Sequence, residues 1–444
     1  MTLSPARVPG TGVRRLTATL YGYAFLDDFV LLYPVYALLF RDTGLTVWQI
    51  SSLFALWSLT GVLLEIPSGA WADGASRRVL LWFGPLLTAA GFALWVLVPS
   101  YWSFALGFVL WGAKGALSSG ALEALVYEEL DRLGAADRYA PAMGRARAAG
   151  LVGVMAAMGL AGPVFAVGGY PAVGLASVLA CLLAAVTASR FPEHRTAPTA
   201  AVVRPSTDEP SAEEPSTDEP LADEPSSDKP SADEPGDGWA RTLRAGLAEA
   251  RGNRSVRGAL LLVPAVTAVW GALDEYTPLL VRDTGVPEGA VPQLLLLVWA
   301  AATVGGLLAG VGQRLGTGGL AGLLAGSALA LAAGAVARTP AGIALVAIAF
   351  GGFQMASVLA DARLQQRIEG TGRATLTSMA GVGTDLTTVA VYGGYAVIGS
   401  TAAHGTVFAL FAVPYLVTAL ILATRRTPAR TARTADISAP TAPG

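Results

Sequence analysis

The chain writes the same four polar residues after two apolar runs: "ALLFRDTGLT" at residues 37–46 and "PLLVRDTGVP" at residues 278–287. The two Arg-Asp-Thr-Gly copies start at Arg41 and Arg282, 241 positions apart. The same offset carries Gly69 of "SGAWADGASRR" onto Gly310 of "AGVGQRLGTGG". Two anchors that share one spacing read as a duplicated unit.

Composition says where that unit works. The 444 residues are 53% hydrophobic and 14% charged, with 52 glycines, too apolar for a soluble chain of this length. Runs of about 20 apolar residues, enough to cross the hydrocarbon of a bilayer, recur along nearly the whole chain. They predict spans at 17–40, 46–68, 78–98, 102–126, 146–167 and 171–190, then at 257–281, 288–312, 317–337, 341–361, 374–399 and 405–424. The expected fold is an all-α membrane protein with twelve transmembrane helices in two parallel-repeat six-helix bundles, since an even number of spans per half gives both copies one orientation. Alternating apolar and polar segments of about ten residues are missing, which excludes an outer-membrane barrel. The first run is too long for a signal peptide and has no small-residue cleavage site, so it reads as a retained helix.

Basic residues set the orientation. Of the 30 Lys and Arg, all but Arg41, Arg282, Arg338 and the intra-span Lys114 fall on one side, together with both termini. That side is expected to be cytoplasmic. The order is then a cytoplasmic N-terminus (1–16), a first bundle (17–190), an acidic Pro/Ser-rich linker (191–238), an amphipathic segment (239–256), a second bundle (257–424) and a cytoplasmic tail (425–444). The linker reads "PSTDEPSAEEPSTDEPLADEPSSDKPSADEPGDG" from Pro205, with almost nothing to bury, and predicts disorder. "WARTLRAGLAEARGNRSVRG" from Trp239 suits the surface of an anionic membrane.

Catalytic chemistry lacks its parts. Cys181 is the single cysteine, and His194 and His404 lie in predicted loops, so a thiol metal site, a disulfide and a Ser-His-Asp triad are all missing components. No Gly-rich phosphate loop of the G-x-x-x-x-G-K-[ST] type occurs. Neither an enzyme nor a cofactor, metal or nucleic-acid partner is expected.

The loop "GAWADGASRR", Gly69 to Arg78, resembles the loop signature of the major facilitator superfamily: a Gly, an Asp four residues on, then two basic residues. Gly69, Asp73, Arg77 and Arg78 fall on the family's positions, while Gly74 replaces a usual basic residue and Ser76 a usual Gly. "LEIPSG" at 64–69 and "SSGALEALVYEEL" at 118–130 also look like stretches of bacterial members. The resemblance implies a gating charge relay, with Asp73 meeting a helix N-terminus or a basic residue of the other half. The lesser alternative is that Arg77 and Arg78 are topology markers only. Span 5, "GLVGVMAAMGLAGPVFAVGGY" from Gly150, is similar to the exporters' antiporter signature through its Gly162-Pro163 pair, although Gly168-Gly169 comes later than the family's pair. Small residues so spaced also serve close helix packing.

Charges inside spans cost roughly 2.5 to 3.5 kcal/mol each and so mark function. Asp27 and Asp28 fall about 15 Å into span 1, and Lys114 about 18 Å into span 4, by the helical rise of 1.5 Å per residue. An Asp27 or Asp28 pair with Lys114 would either bind and release protons as substrate arrives or simply lock two helices. Asp385 in span 11 is a further proton or substrate candidate. Asp274 and Glu275 are expected in an outer vestibule, with Asp274 matching Tyr33 at the repeat offset. Glu65, Glu123, Asp361 and Arg363 read as helix-end or gate contacts. Tyr23, Tyr33, Trp57, Trp111, Gln354 and Tyr392 are expected to line an amphipathic cavity.

The function expected is a proton-coupled secondary transporter, an exporter of small organic compounds working as a monomer. Its partners would be the lipid bilayer, a small-molecule substrate and protons. An uptake symporter or facilitator is the alternative within the class, and a non-transporting membrane receptor or scaffold the alternative outside it. Lysine occurs only at Lys114 and Lys229, every other base being Arg, a bias that suggests a GC-rich bacterial gene and a bacterial inner membrane.

Overall fold

A computed structural model describes residues 9–74, 76–118, 120–194, 252–368 and 373–424, with backbone only for 9, 10, 65–74 and 373–375. The expected linker, amphipathic segment and tail therefore lie almost wholly outside the described residues, as do the side chains of Glu65, Gly69 and Asp73. Among the described residues there is no strand. The first half holds α1 (Pro9–Asp28), α2 (Tyr36–Asp42), α3 (Val47–Gly74), α4 (Arg77–Leu97), α5 (Tyr101–Ser118), α6 (Ala121–Arg132) and α7 (Tyr139–Ala188). The second holds α8 (Arg254–Asp274), α9 (Thr277–Arg282), α10 (Val291–Gly312), α11 (Thr317–Ala337), α12 (Pro340–Arg367), α13 (Arg373–Gly399), α14 (His404–Phe411) and α15 (Val413–Thr424).

These elements follow the predicted spans in outline, except that span 4, expected over 102–126, ends with α5 at Ser118 and α6 starts anew after the left-handed Gly120. The long α7 is two spans joined at a kink, where Gly168 and the left-handed Gly169 leave the helical conformation. Eight stretches of the described residues are long and apolar enough to cross a membrane, and one of them, 136–188, covers both spans of α7. The expected spans 1, 4 and 11 fall below that measure. These are the spans that carry Asp27 and Asp28, Lys114, and Asp385.

The first span of each half is broken. Span 1 stops being helical between Asp28 and Tyr36, and span 7 breaks at Glu275–Tyr276. Pro34 cannot donate to a helix and disfavours helical backbone at Tyr33, while Pro278 opens α9 near its first position. Broken backbone at membrane depth persists only where its polar groups find partners. Here Leu32 N–H donates to Ser177 Oγ of α7 at 2.9 Å, and Val30 and Tyr33 close local turns onto Asp28 and Val30 carbonyls at 2.9 and 3.2 Å.

Each short helix after a break ends in an RDTG turn. Gly44 and Gly285 have φ of +91° and +79°, left-handed values that glycine adopts without a Cβ penalty. Their N–H groups bond the Arg41 and Arg282 carbonyls, both at 3.0 Å. Thr43 and Thr284 hydroxyls donate back to Leu39 O and Val281 O at 2.8 and 2.7 Å. The repeated tetrapeptide is thus a built helix stop.

An aromatic core ties α2, α3, α4 and α5 together beside it: Tyr36, Phe40, Phe54, Phe92, Trp95 and Phe108 are nearly fully buried. The halves meet where α3 packs on α13, α7 on α10, and α2 on α9. Gly162 of α7 sits against Gly289 and Gln293 of the second half, so the span-5 glycines do serve close packing.

Candidate transport site

Two cavities border the breaks, and a third adjoins them through Trp111 and Lys114. One of about 170 Å³ is lined by Asp27, Asp28, Tyr33, Trp111, Lys114 and Trp299, among others. A second, about 390 Å³, shares Trp111 and Lys114 and adds Trp57 and Asp385. The largest, about 830 Å³, shares Tyr33 and Trp299 and adds Arg147, Trp270, Asp274, Glu275, Phe350 and Gln354. Shared walls make them one chain of spaces between the halves.

Lys114 occupies the centre of that chain. Its Nζ donates to Asp27 Oδ2 at 2.7 Å, with both side chains largely enclosed. Gly84 of α4 lies against its aliphatic stem. Asp28 turns instead toward Gly150 of α7, so only one aspartate of the pair meets the lysine, as adjacent helical positions some 100° apart require. Asp385 shares a cavity with Lys114.

On the other side of Tyr33, its hydroxyl donates to Asp274 Oδ2 at 3.1 Å. The Tyr33 ring packs edge-on to Trp111 and Trp299, with centroids 6.4 and 5.8 Å away. Glu275 is only 7% exposed, and Asp274 and Glu275 line the large cavity. The pair expected in a vestibule thus lies at the break of span 7, on the wall of that cavity. The break of span 7 beside them is not visible in its apolar run.

Other expected residues fall as follows. Tyr33, Trp57, Trp111 and Gln354 line cavities, whereas Tyr23 and Tyr392 are buried in packing at 2% and 3% exposure. Glu123 lies in the first turn of α6, where a carboxylate complements the helix dipole. Arg363 donates to Leu315 O at 2.8 Å, holding the turn between α10 and α11. Arg77 pairs with Glu128 and its N–H donates to Glu193 Oε1 at 2.8 Å, while Ser76 Oγ also bonds Glu193. Arg77 thus ties α4 to α6 and to the segment after α7, and Arg78 is exposed. Trp270, Trp299 and Arg147 were not singled out as cavity residues from sequence. A tryptophan near the middle of a span, away from the interfaces where aromatics usually anchor, was the available signal for the first two.

Polar contacts between the halves have a distinct distribution among the described residues. At the RDTG end, Arg282 Nη1 lies 2.5 Å from Asp42 Oδ1 and Tyr276 OH donates to Ser51 Oγ at 2.7 Å, while Tyr170 OH of the first half steadies Asp42 by donating to its Oδ2. Burial alone would lower the Arg282 pKa, but the bond to Asp42 and the nearby Glu288 raise it above its ordinary value. At the opposite end several contacts lie within one half: Arg77 to Glu128, Glu129 to Arg132 and His194, and Arg367 to Ser255 O. The molecule is fastened across the RDTG end.

Residues 17–391 match the profile of the Major Facilitator Superfamily. The chain belongs to that family. Solved structures of the family's fold superpose over nearly the full length of this member. A structure of nucleoside transporter NupG matches with a TM-score of 0.66 at 13% identity, covering 93% of this chain and 98% of that one. A D-xylose-proton symporter matches at 0.63 and 14% identity, covering 92% and 96%. A bacterial homolog of the human lysosomal transporter Spinster, inward-facing and unoccupied, matches at 0.61 and 14%, covering 95% of each. Such distant likeness carries the fold of this family member and no substrate. No curated protein matches it by sequence.

Proposed function

We propose that this family member is a proton-coupled secondary transporter that exports small organic compounds by alternating access. One observation carries the reading: a Lys114–Asp27 ion pair at 2.7 Å, enclosed at mid-span where the halves meet. A buried pair of this kind contributes little net stability, so its retention in a span asks for another role. Protonation of Asp27 would cancel its charge and release Lys114, and Asp28 lies beside them to share the proton. Asp385, on the cavity that Lys114 also lines, would sense that release from the second half. The fastening between the halves at the RDTG end, Arg282 to Asp42 and Tyr276 to Ser51, suits a state open to the side of the termini.

Positive charge on that side supports a bacterial inner-membrane protein with both termini and the linker in the cytoplasm. Residues 191–238 would then be a solvated spacer and 239–256 a surface helix, joining bundles 17–190 and 257–424 in a monomer. Asp73, Arg77 and Arg78 would form the inner gate. Similarity of span 5 to the exporters' signature supports the outward direction. Uptake is the second reading, supported by the likeness in fold to a D-xylose-proton symporter.

Proteoliposomes carrying a pH-sensitive dye and an imposed pH gradient test both. Fractions of a bacterial small-molecule extract, added to either face, should discharge the gradient with the protein and fail with Asp27→Asn. Countermovement of solute and proton supports export; movement together supports uptake. Inertness toward every fraction, with a tight protein partner on the linker, would sink the transporter reading.

A further inference from the structure

Resting on that transport reading, we infer that the 830 Å³ cavity binds an organic cation with an aromatic or apolar body, anchored by Glu275. The cavity has the size of a site for a drug-like molecule. Its walls include Tyr33, Trp270, Trp299 and Phe350, and aromatic faces attract cations. Trp270 is held firmly on that wall, because its indole N–H donates to Ser357 Oγ at 3.1 Å and its ring packs edge-on to Phe350 at 5.7 Å.

Glu275 supplies the charge argument. It is more than nine-tenths buried, borders the cavity, and among the described residues no hydrogen bond or ion pair reaches its carboxylate. Asp274 beside it has its Tyr33 donor, and Asp27 has Lys114. A carboxylate so enclosed, facing the cavity without a protein partner, favours a positive charge beside it. An anion entering here would meet two carboxylates at the break; a neutral solute would leave Glu275 unmatched. Arg147, the one basic residue on this wall, is exposed and makes no ion pair with either acid. A cation completes the site.

Equilibrium dialysis of the full chain in detergent would decide, using tetraphenylphosphonium against tetraphenylborate, ions of one shape and opposite charge. The phosphonium should bind saturably above empty micelles and the borate should not. Glu275→Gln should weaken the phosphonium at least tenfold, and Glu275→Asp should restore much of that loss. Equal binding of both ions by the native chain, or no saturable phosphonium binding, overturns the inference without any variant. Full affinity in a folded Glu275→Gln protein overturns it as well. Phosphonium binding in a protein that moves no proton would keep the cation site and sink the coupling. A proton flux driven by extract fractions, without phosphonium binding, would do the reverse.

Discussion

Tyr33 and Asp274 lie 241 positions apart and touch, the Tyr33 hydroxyl donating to Asp274 Oδ2 at 3.1 Å. That separation is the repeat offset itself, so the two are the same position counted in each half. Equivalent positions of a duplicated unit can meet only near the axis that relates the copies. The bond therefore marks the axis, and the cavities on either side of Tyr33 surround it. Tyr33→Phe removes the donor without changing the ring, and should slow solute-driven proton flux at least fivefold while shifting the melting temperature little. An unchanged rate would leave the bond as packing alone.

Lys114 and Asp27 separate structure from coupling. Asp27→Asn should destabilise the purified protein by roughly 3 to 5 kcal/mol, because an uncompensated ammonium stays behind. Adding Lys114→Met should recover most of that loss in thermal melting. The double variant should nonetheless carry no proton in liposomes. Recovered proton flux would show the pair to be a helix lock.

Asp42 and Arg282 fasten the RDTG end, and an exposed pair of this kind contributes about 1 kcal/mol. Arg282→Ala should raise the labelling rate of a Ser51→Cys probe severalfold, since Ser51 is 2% exposed behind the fastening. Asp42→Arg combined with Arg282→Asp should return the rate toward the parent's. Failure of the swap would assign the closure to Tyr276 and its neighbours instead.

Gly153 faces the Phe25 carbonyl of α1 so closely that a Cβ has no room. Gly153→Val should cost about 1 to 3 kcal/mol by overpacking and separate α1 from α7. Melting of the detergent-solubilised variant measures it.

Glu129 responds to acid. Burial by itself would raise its pKa, but bonds from His194 and Arg132 outweigh that and hold the carboxyl below its ordinary 4.5. Its contribution is therefore complete above about pH 4.5 and fades as pH falls through the depressed folded value. Glu129→Gln should cost about 1 to 3 kcal/mol at pH 7 and progressively less as the pH drops below 4.5. A constant difference between pH 7 and pH 3.5 would contradict the assignment.

Much of this was legible from residue order. Apolar runs placed most of the helices, the RDTG offset gave the duplication, and matching depths along spans 1 and 4 brought one of Asp27 and Asp28 to Lys114 without choosing between them. Distance along a helix is a local quantity, and so is periodicity. The breaks were not legible, because Pro34 and Pro278 announce a change of backbone without saying how the freed groups are satisfied. Ser177 satisfies Leu32 from 145 positions away, a contact that no pattern in span 1 encodes. For the same reason the enclosure of Glu275, 7% exposed at the break of span 7, has no counterpart in the pattern of that span.

Spans 1, 4 and 11 are the ones that do not form a long, wholly apolar helix, span 1 because it breaks after Asp28, and each brings its charge to the central cavities. Synthesis order then matters. A lone Lys114 at mid-bilayer costs roughly 2.5 to 3.5 kcal/mol during insertion. Span 1 emerges first, so Asp27 is already in the membrane when Lys114 arrives, and the pair can enter as a neutral unit. Asp385 comes last, into a cavity wall that Lys114 has by then completed. The residues that would move protons in the mature protein would also be those whose order of arrival decides whether it assembles.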